Sequence, residues 1–168
     1  MLAIAGSADQ EHVVNWADVL LALQTPLPAD YREFAERVGP AYLGEFLYVL
    51  FPGAANEPFD LLKFGRVMLD SLKEFEADIP YPIHPARGGL LPWGYTDNGD
   101  WCYWRTAGKP DGWRVVIGES RSPNWYEFPG PLVDFLLGFV DGSVDVPCFP
   151  PDGTVRHTNV LALLPPTG

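Results

Sequence analysis

Three histidines, two cysteines and a pair of aspartates are the residues whose types could do chemistry in this chain. His12, His84 and His157 stand far apart, without the spacing of a metal-ligand set. Cys102 could act as a nucleophile only beside a basic partner that lowers its pKa. A small buried apolar residue is the simpler reading. Asp97 and Asp100 flank Asn98-Gly99 and could touch a cation. They lack the ligand series of an EF-hand loop, and turn formation accounts for both. Gly88-Gly89 is too little to cradle a phosphate. No Gly-x-Ser-x-Gly elbow, phosphate-binding loop or dinucleotide fingerprint occurs. The reading is therefore a non-catalytic protein with no metal and no cofactor.

The element that would position these residues is a hairpin over residues 90–104. Two aromatic-rich apolar runs flank Asp97-Asn98-Gly99-Asp100, and Asn-Gly supplies two residues that tolerate the positive φ of a tight turn. Strands are predicted next at 113–117 and 125–128. Five of the six tryptophans lie between Trp93 and Trp125, so an antiparallel sheet with an aromatic face is the expected core. Helices are predicted at 9–24, capped by Ser7 or Asp9, at 28–38 up to Gly39-Pro40, at 56–75 and at 130–140. Residues 45–51 read as a short strand between Gly44 and Pro52-Gly53. The tail from 143 is rich in proline and glycine, with an edge strand expected only at 159–164. At 168 residues, with no internal repeat or linker, one domain over 1–168 is expected.

Eleven basic residues face twenty-two acidic ones, a formal charge of -11. Phosphate backbones and anionic membranes would repel such a chain, so neither nucleic acid nor membrane is an expected partner. The charge favours a basic protein partner, or serves merely for solubility, the simpler reading for any single carboxylate. The first residues hold no basic region, and their apolar run is broken by Asp9, Gln10 and Glu11. That points to a cytoplasmic protein, in which Cys102 and Cys148 should both be free thiols.

Three blocks, taken in order, resemble the SUKH superfamily, which joins fungal cell-wall regulators of the Smi-Knr type to bacterial toxin-immunity proteins. The first is Leu27-Pro28-Ala29-Asp30-Tyr31-Arg32-Glu33-Phe34. The second is Gly94-Tyr95-Thr96-Asp97-Asn98-Gly99-Asp100-Trp101-Cys102-Tyr103-Trp104. The third runs from Trp113-Arg114-Val115-Val116 through Trp125-Tyr126-Glu127-Phe128 to Phe135-Leu136. Together they span about residues 27–142. Gly39-Pro40-Ala41 departs from the family's more glycine-rich segment, and the helix at 9–24 and the tail from 143 are additions. The resemblance implies an α+β fold with a central, mostly antiparallel sheet and flanking helices. It also implies non-catalytic work, the binding of a partner such as a toxin neutralised inside the bacterial cell that makes it. A regulatory scaffold of the same fold and a small carbohydrate-binding or carbohydrate-acting protein are the alternative readings.

The candidate partner-binding residues are Asp97, Asp100, Glu119, Trp125, Tyr126 and Glu127. Aromatic anchors inside a charged rim are the usual make-up of a protein-binding hot spot. Asp97, Asp100 and Glu119 should be exposed, on loops at strand ends. For Trp125 the competing reading, packing under the 130–140 helix, is the simpler one.

Overall fold

A computed structural model of the chain describes residues 12–150. Its centre is one six-stranded antiparallel sheet in which every strand pairs with the next in sequence. The strands are β1 (Ala41–Leu43), β2 (Leu47–Val49), β3 (Leu90–Thr96), β4 (Trp101–Arg105), β5 (Arg114–Gly118) and β6 (Trp125–Phe128). Four helices flank it: α1 (Trp16–Leu23), α2 (Ala29–Val38), α3 (Lys63–Glu74) and α4 (Leu132–Asp141). This is the α+β class expected, with its sheet and flanking helices.

The two faces of the sheet are dressed differently. Leu91, Trp93, Cys102, Trp104, Val115 and Ile117 join the larger core, with Tyr31 and Phe34 of α2 and Phe135 and Leu136 of α4. The Tyr31 ring meets Trp104 edge-on at 5.0 Å, and its hydroxyl donates to the Leu50 carbonyl at 2.6 Å. Two side-chain carboxylates supply the acceptors that backbone N–H groups at the helix starts need. Asp111 accepts from Ala29 N at 2.8 Å, and Asp30 accepts from Val133 N at 3.0 Å. On the opposite face Leu72 of α3 and Ile83 cover Leu90, Tyr103 and Val116.

Three expectations about elements change. The strand expected at 45–51 is half of a hairpin, because Gly44 and Glu45 both take left-handed conformations and turn the chain between β1 and β2. The helix expected at 56–75 begins only at Lys63, after a short 3-10 turn at Glu57–Phe59. Asp60 is the reason. It is buried, and its carboxylate accepts from Gly53 N and Leu62 N, both at 3.0 Å, which fixes the preceding backbone outside the helix. The helix expected at 9–24 starts at Trp16, where Asn15 accepts from Asp18 N at 3.3 Å. Ser7, Asp9 and the strand expected at 159–164 lie outside the described residues.

The central hairpin forms where it was expected, but its turn differs. Gly99 alone carries positive φ, at 83°, and Asn98 does not. Gly99 N donates to Thr96 O and Thr96 N donates to Asp100 O, both at 2.9 Å. That pattern is a three-residue loop with glycine at its left-handed position, not a two-residue turn. Gly99→Val should cost about 1–3 kcal/mol through φ strain. Thermal melting measures it, and an unchanged midpoint would show that the loop relaxes around valine.

Candidate functional site

Because the sheet is a plain meander, the β1–β2, β3–β4 and β5–β6 turns all lie at one end. These turns hold Glu45, Asp97, Asp100 and Glu119 against a single base, Arg121. The opposite end carries the β4–β5 turn and the loop before β3, stitched together by Gly88 N to Thr106 O and Thr106 N to Gly89 O. Arg87, Arg105, Lys109 and Arg114 gather there, with Asp111 and with Glu127, which lies against Arg105 and Arg114. Charge is thus segregated along the strand direction.

One residue in from the acidic turns, a single row crosses all six strands. Its register runs Tyr42, Tyr48, Tyr95, Trp101, Gly118, Trp125. The five aromatic members are all half-buried. Tyr42 stacks on Tyr48 with centroids 4.4 Å apart, and Tyr48 on Tyr95 at 4.5 Å. Phe64 of α3 tilts against Tyr95 at 5.0 Å, and the Tyr95 hydroxyl donates to Pro58 O at 2.8 Å. Gly118 leaves the space into which the Trp125 indole leans. Tyr81 meets that indole edge-on at 5.4 Å.

Asp97 closes the tyrosine end of the row by accepting the Tyr42 hydroxyl. Desolvation first, and then that hydrogen bond, hold Tyr42 well above the ordinary tyrosine range. Desolvation, with the charges of Tyr48 and Asp97, pushes Tyr95 up to about 12. The hydroxyls of this row are therefore neutral, hydrogen-bonding groups at physiological pH.

The six candidate residues fall into distinct settings. Asp97 is exposed and Glu119 half-exposed at the acidic end, as expected. Asp100 is not exposed: it is 2% accessible. Its carboxylate accepts from the Thr96 hydroxyl at 3.1 Å and from Ser120 N at 2.9 Å, tying two turns together. A charge committed to backbone and hydroxyl donors inside the protein is not available to a partner. Trp125 does not pack under α4. Strand alternation puts Trp125 and Glu127 on the face away from α4, and Tyr126 and Phe128 on the α4 side. Glu127 lies 3.7 Å from Arg105 and 3.6 Å from Arg114, and accepts from the Tyr81 hydroxyl at 3.2 Å. It is a structural link between three elements rather than a rim charge. Glu119, Trp125 and Tyr126 do meet around a crevice of about 280 Å³ that Cys148 also lines.

Tyr42, Tyr48, Tyr95 and Trp101 escaped the sequence reading. The signal that could have found them was strand alternation counted outward from the 97–100 turn. It would have reached Tyr95 and Trp101, but not the two tyrosines of β1 and β2.

The remaining chemistry-bearing residues are held in structural roles. His84 Nε2 donates to the Leu23 carbonyl at 2.6 Å, and His12 packs edge-on to Phe51 at 5.8 Å. His157 lies outside the described residues. Cys102 and Cys148 are both unbonded thiols. Burial first, then Asp100 and Cys148, raise the Cys102 thiol well above its ordinary value. Cys148 is pushed up to about 12 by burial, then by Asp100 and Glu119. Both settings oppose thiolate formation. Among the described residues no group of three or more His, Cys, Asp and Glu could hold a metal ion, and no helix is long and apolar enough to cross a membrane.

Comparison with known protein families, with characterised proteins and with solved structures finds no match to this chain.

Proposed function

We propose that this protein is a non-catalytic binding domain of the SUKH immunity type, and that its acidic hairpin end holds a basic toxin domain inside the cell. The observation that carries the reading is the aromatic row rimmed by Asp97 and Glu119, with Arg121 the one base in the adjoining turns. Half-buried aromatic side chains give large, rigid contact area at low entropic cost. The acidic rim excludes wrong partners and speeds encounter with a basic one. Segregation of charge along the strands adds a dipole that turns the acidic end toward such a partner.

The row's internal geometry favours a protein over a sugar. Carbohydrate rings pack on open aromatic faces, and Tyr42, Tyr48 and Tyr95 stack their faces on one another. The Tyr42 and Tyr95 hydroxyls are themselves engaged, by Asp97 and by Pro58 O.

The test begins with capture of the partner from lysate of the native strain, identified by mass spectrometry. Association rates then follow at two salt concentrations for wild type and for Glu119→Lys with Asp145→Lys. Asp145 is exposed and close enough to Tyr126 to raise its pKa, after desolvation, so it belongs to the same end. Glu127 is left alone, because a lysine there would face Arg105 and Arg114 and would test folding instead. The double reversal should slow association about tenfold at low salt, and the difference should shrink as salt screens it. A captured partner that is acidic, or equal rates at low salt, would remove the acidic end from the interface.

A further inference from the structure

We propose that the groove between α1 and α3 is a binding site for a small amphipathic monoanion, a carboxylate carried on an apolar body. The groove encloses about 380 Å³. That volume lies at the small end of the roughly 300–1,000 Å³ typical of small-molecule sites. Leu23, Leu62 and Leu69 give it a half-buried apolar floor, and Arg66 and Lys73 stand exposed on its lip. None of its lining belongs to the aromatic row, so the inference stands apart from the function proposed above.

Arg66, Asp70 and Lys73 follow one another at i, i+4 and i+7 along one face of α3. That spacing permits ion pairs, yet none of the three has an ion-pair or hydrogen-bond partner among the described residues. Arg66 precedes Asp70, which is the weaker order for a helical pair, since it opposes the helix dipole. Elsewhere in the described chain Arg37, Arg105 and Arg114 find carboxylates and Arg32, Arg87 and Arg121 do not, so what sets Arg66 apart is the apolar groove beneath it. Two unpaired cations above an apolar floor are complementary to an anionic head on an apolar body. Asp70 leaves the lip with a single net positive charge, which suits one carboxylate better than a dianion.

The walls are fixed before any ligand arrives. His84 is only 9% accessible, and its Nε2–H holds the Leu23 carbonyl at the end of α1. Gln24 then turns out of the helix in a left-handed conformation while its N–H closes on Leu20 O at 2.8 Å. A site that does not have to be ordered on binding loses less affinity to entropy.

The experiment is an amide-shift titration of ¹⁵N-labelled full chain with octanoate, kept below the concentration at which it forms micelles, with octanol as the neutral control. Octanoate should saturate with the largest shifts at Leu23, Leu62 and Leu69, and octanol should bind far more weakly. Arg66→Gln with Lys73→Gln should weaken octanoate about tenfold, the loss of one charge-assisted contact set. Asp70→Asn should tighten it. All three positions are exposed, and near-UV circular dichroism checks that each variant keeps the native fold. If the double variant fails to fold, Lys73→Gln alone must still weaken binding. No saturation, saturation at other residues, equal affinity for octanol, or undiminished affinity without the two cations would each overturn the site.

Discussion

Gly94→Ala should lower stability by about 3 kcal/mol or more, the upper range for overpacking a site that cannot relax. A β-carbon at 94 would stand 2.3 Å from the carbonyl oxygen of Tyr48, a backbone atom of the neighbouring strand. Gly94 pairs with Val49 on one side and Cys102 on the other, so neither neighbour can withdraw without breaking a ladder. The register slips between Pro92 and Gly94, and this bulge brings the chain so close to β2. It also sets Tyr95 beside Tyr48 in the aromatic row. For a chain of this length the loss corresponds to a fall in melting temperature of roughly 6–12 °C. Gly112→Ala is the control, because a β-carbon at 112 would meet nothing within 4 Å and the φ there is not positive. It should change the midpoint by no more than about 1–2 °C. Equal midpoints for the two variants would mean that β2 and β3 separate easily at the bulge.

The parts of this fold that could be read from residues alone are those whose signals are local. Gly99 marks a turn wherever it occurs between aromatic runs, and Leu132, Phe135, Leu136 and Phe139 repeat at helical spacing whatever surrounds them. The strands β3 to β6 and helices α2 and α4 follow from such signals. β2 lies inside the strand expected at 45–51, but β1 and the turn between them do not follow, because β1 has three residues and that turn uses Glu45 at a left-handed position that glycine, asparagine or aspartate usually fills. Asp60 is a second case. In sequence it falls inside the helix expected at 56–75, and only the fold brings Gly53 N to its carboxylate.

Of the candidate site, the residue types were legible in the sequence and their placement was not. An acidic rim with aromatic residues was expected from composition around Glu119 and Trp125. Which carboxylates remain at the surface depends on hydrogen bonds made across the sheet. Asp97 and Asp100 stand at the two sides of one turn, yet one is exposed and the other is buried by Thr96 and Ser120. The aromatic row is a property of register across six strands, and no stretch of sequence contains it.

Alkaline pH should unfold this protein steeply. All seven tyrosines have pKa values raised above the ordinary value, Tyr31 and Tyr103 most strongly, with desolvation the leading cause for each. A group whose folded pKa is raised keeps its proton in the native state after the unfolded chain has lost it. Its contribution is fully present below the unfolded value, near 10 for tyrosine, and drains away as pH rises above that value. Cys102 acts in the same direction from about pH 8.5 upward. Each such proton costs about 1.4 kcal/mol per pH unit, so Tyr31 and Tyr103 alone remove roughly 3 kcal/mol per unit above pH 10. Against a total stability of about 5–15 kcal/mol, two units suffice to unfold much of the population at the lower end of that range. Absorbance of tyrosinate near 295 nm, followed beside near-UV circular dichroism, tests this. The signals of Tyr31 and Tyr103 should be missing until dichroism collapses and should then appear with it. Tyr103→Phe sharpens the test, because its hydroxyl makes no hydrogen bond among the described residues and its ring packs with Trp125 at 6.0 Å. The variant should keep its stability at pH 7 and lose stability with pH more slowly, by about one proton's worth. A full complement of seven tyrosines ionising with a midpoint near 10 while the near-UV spectrum stays native would show that water reaches these rings in the folded protein.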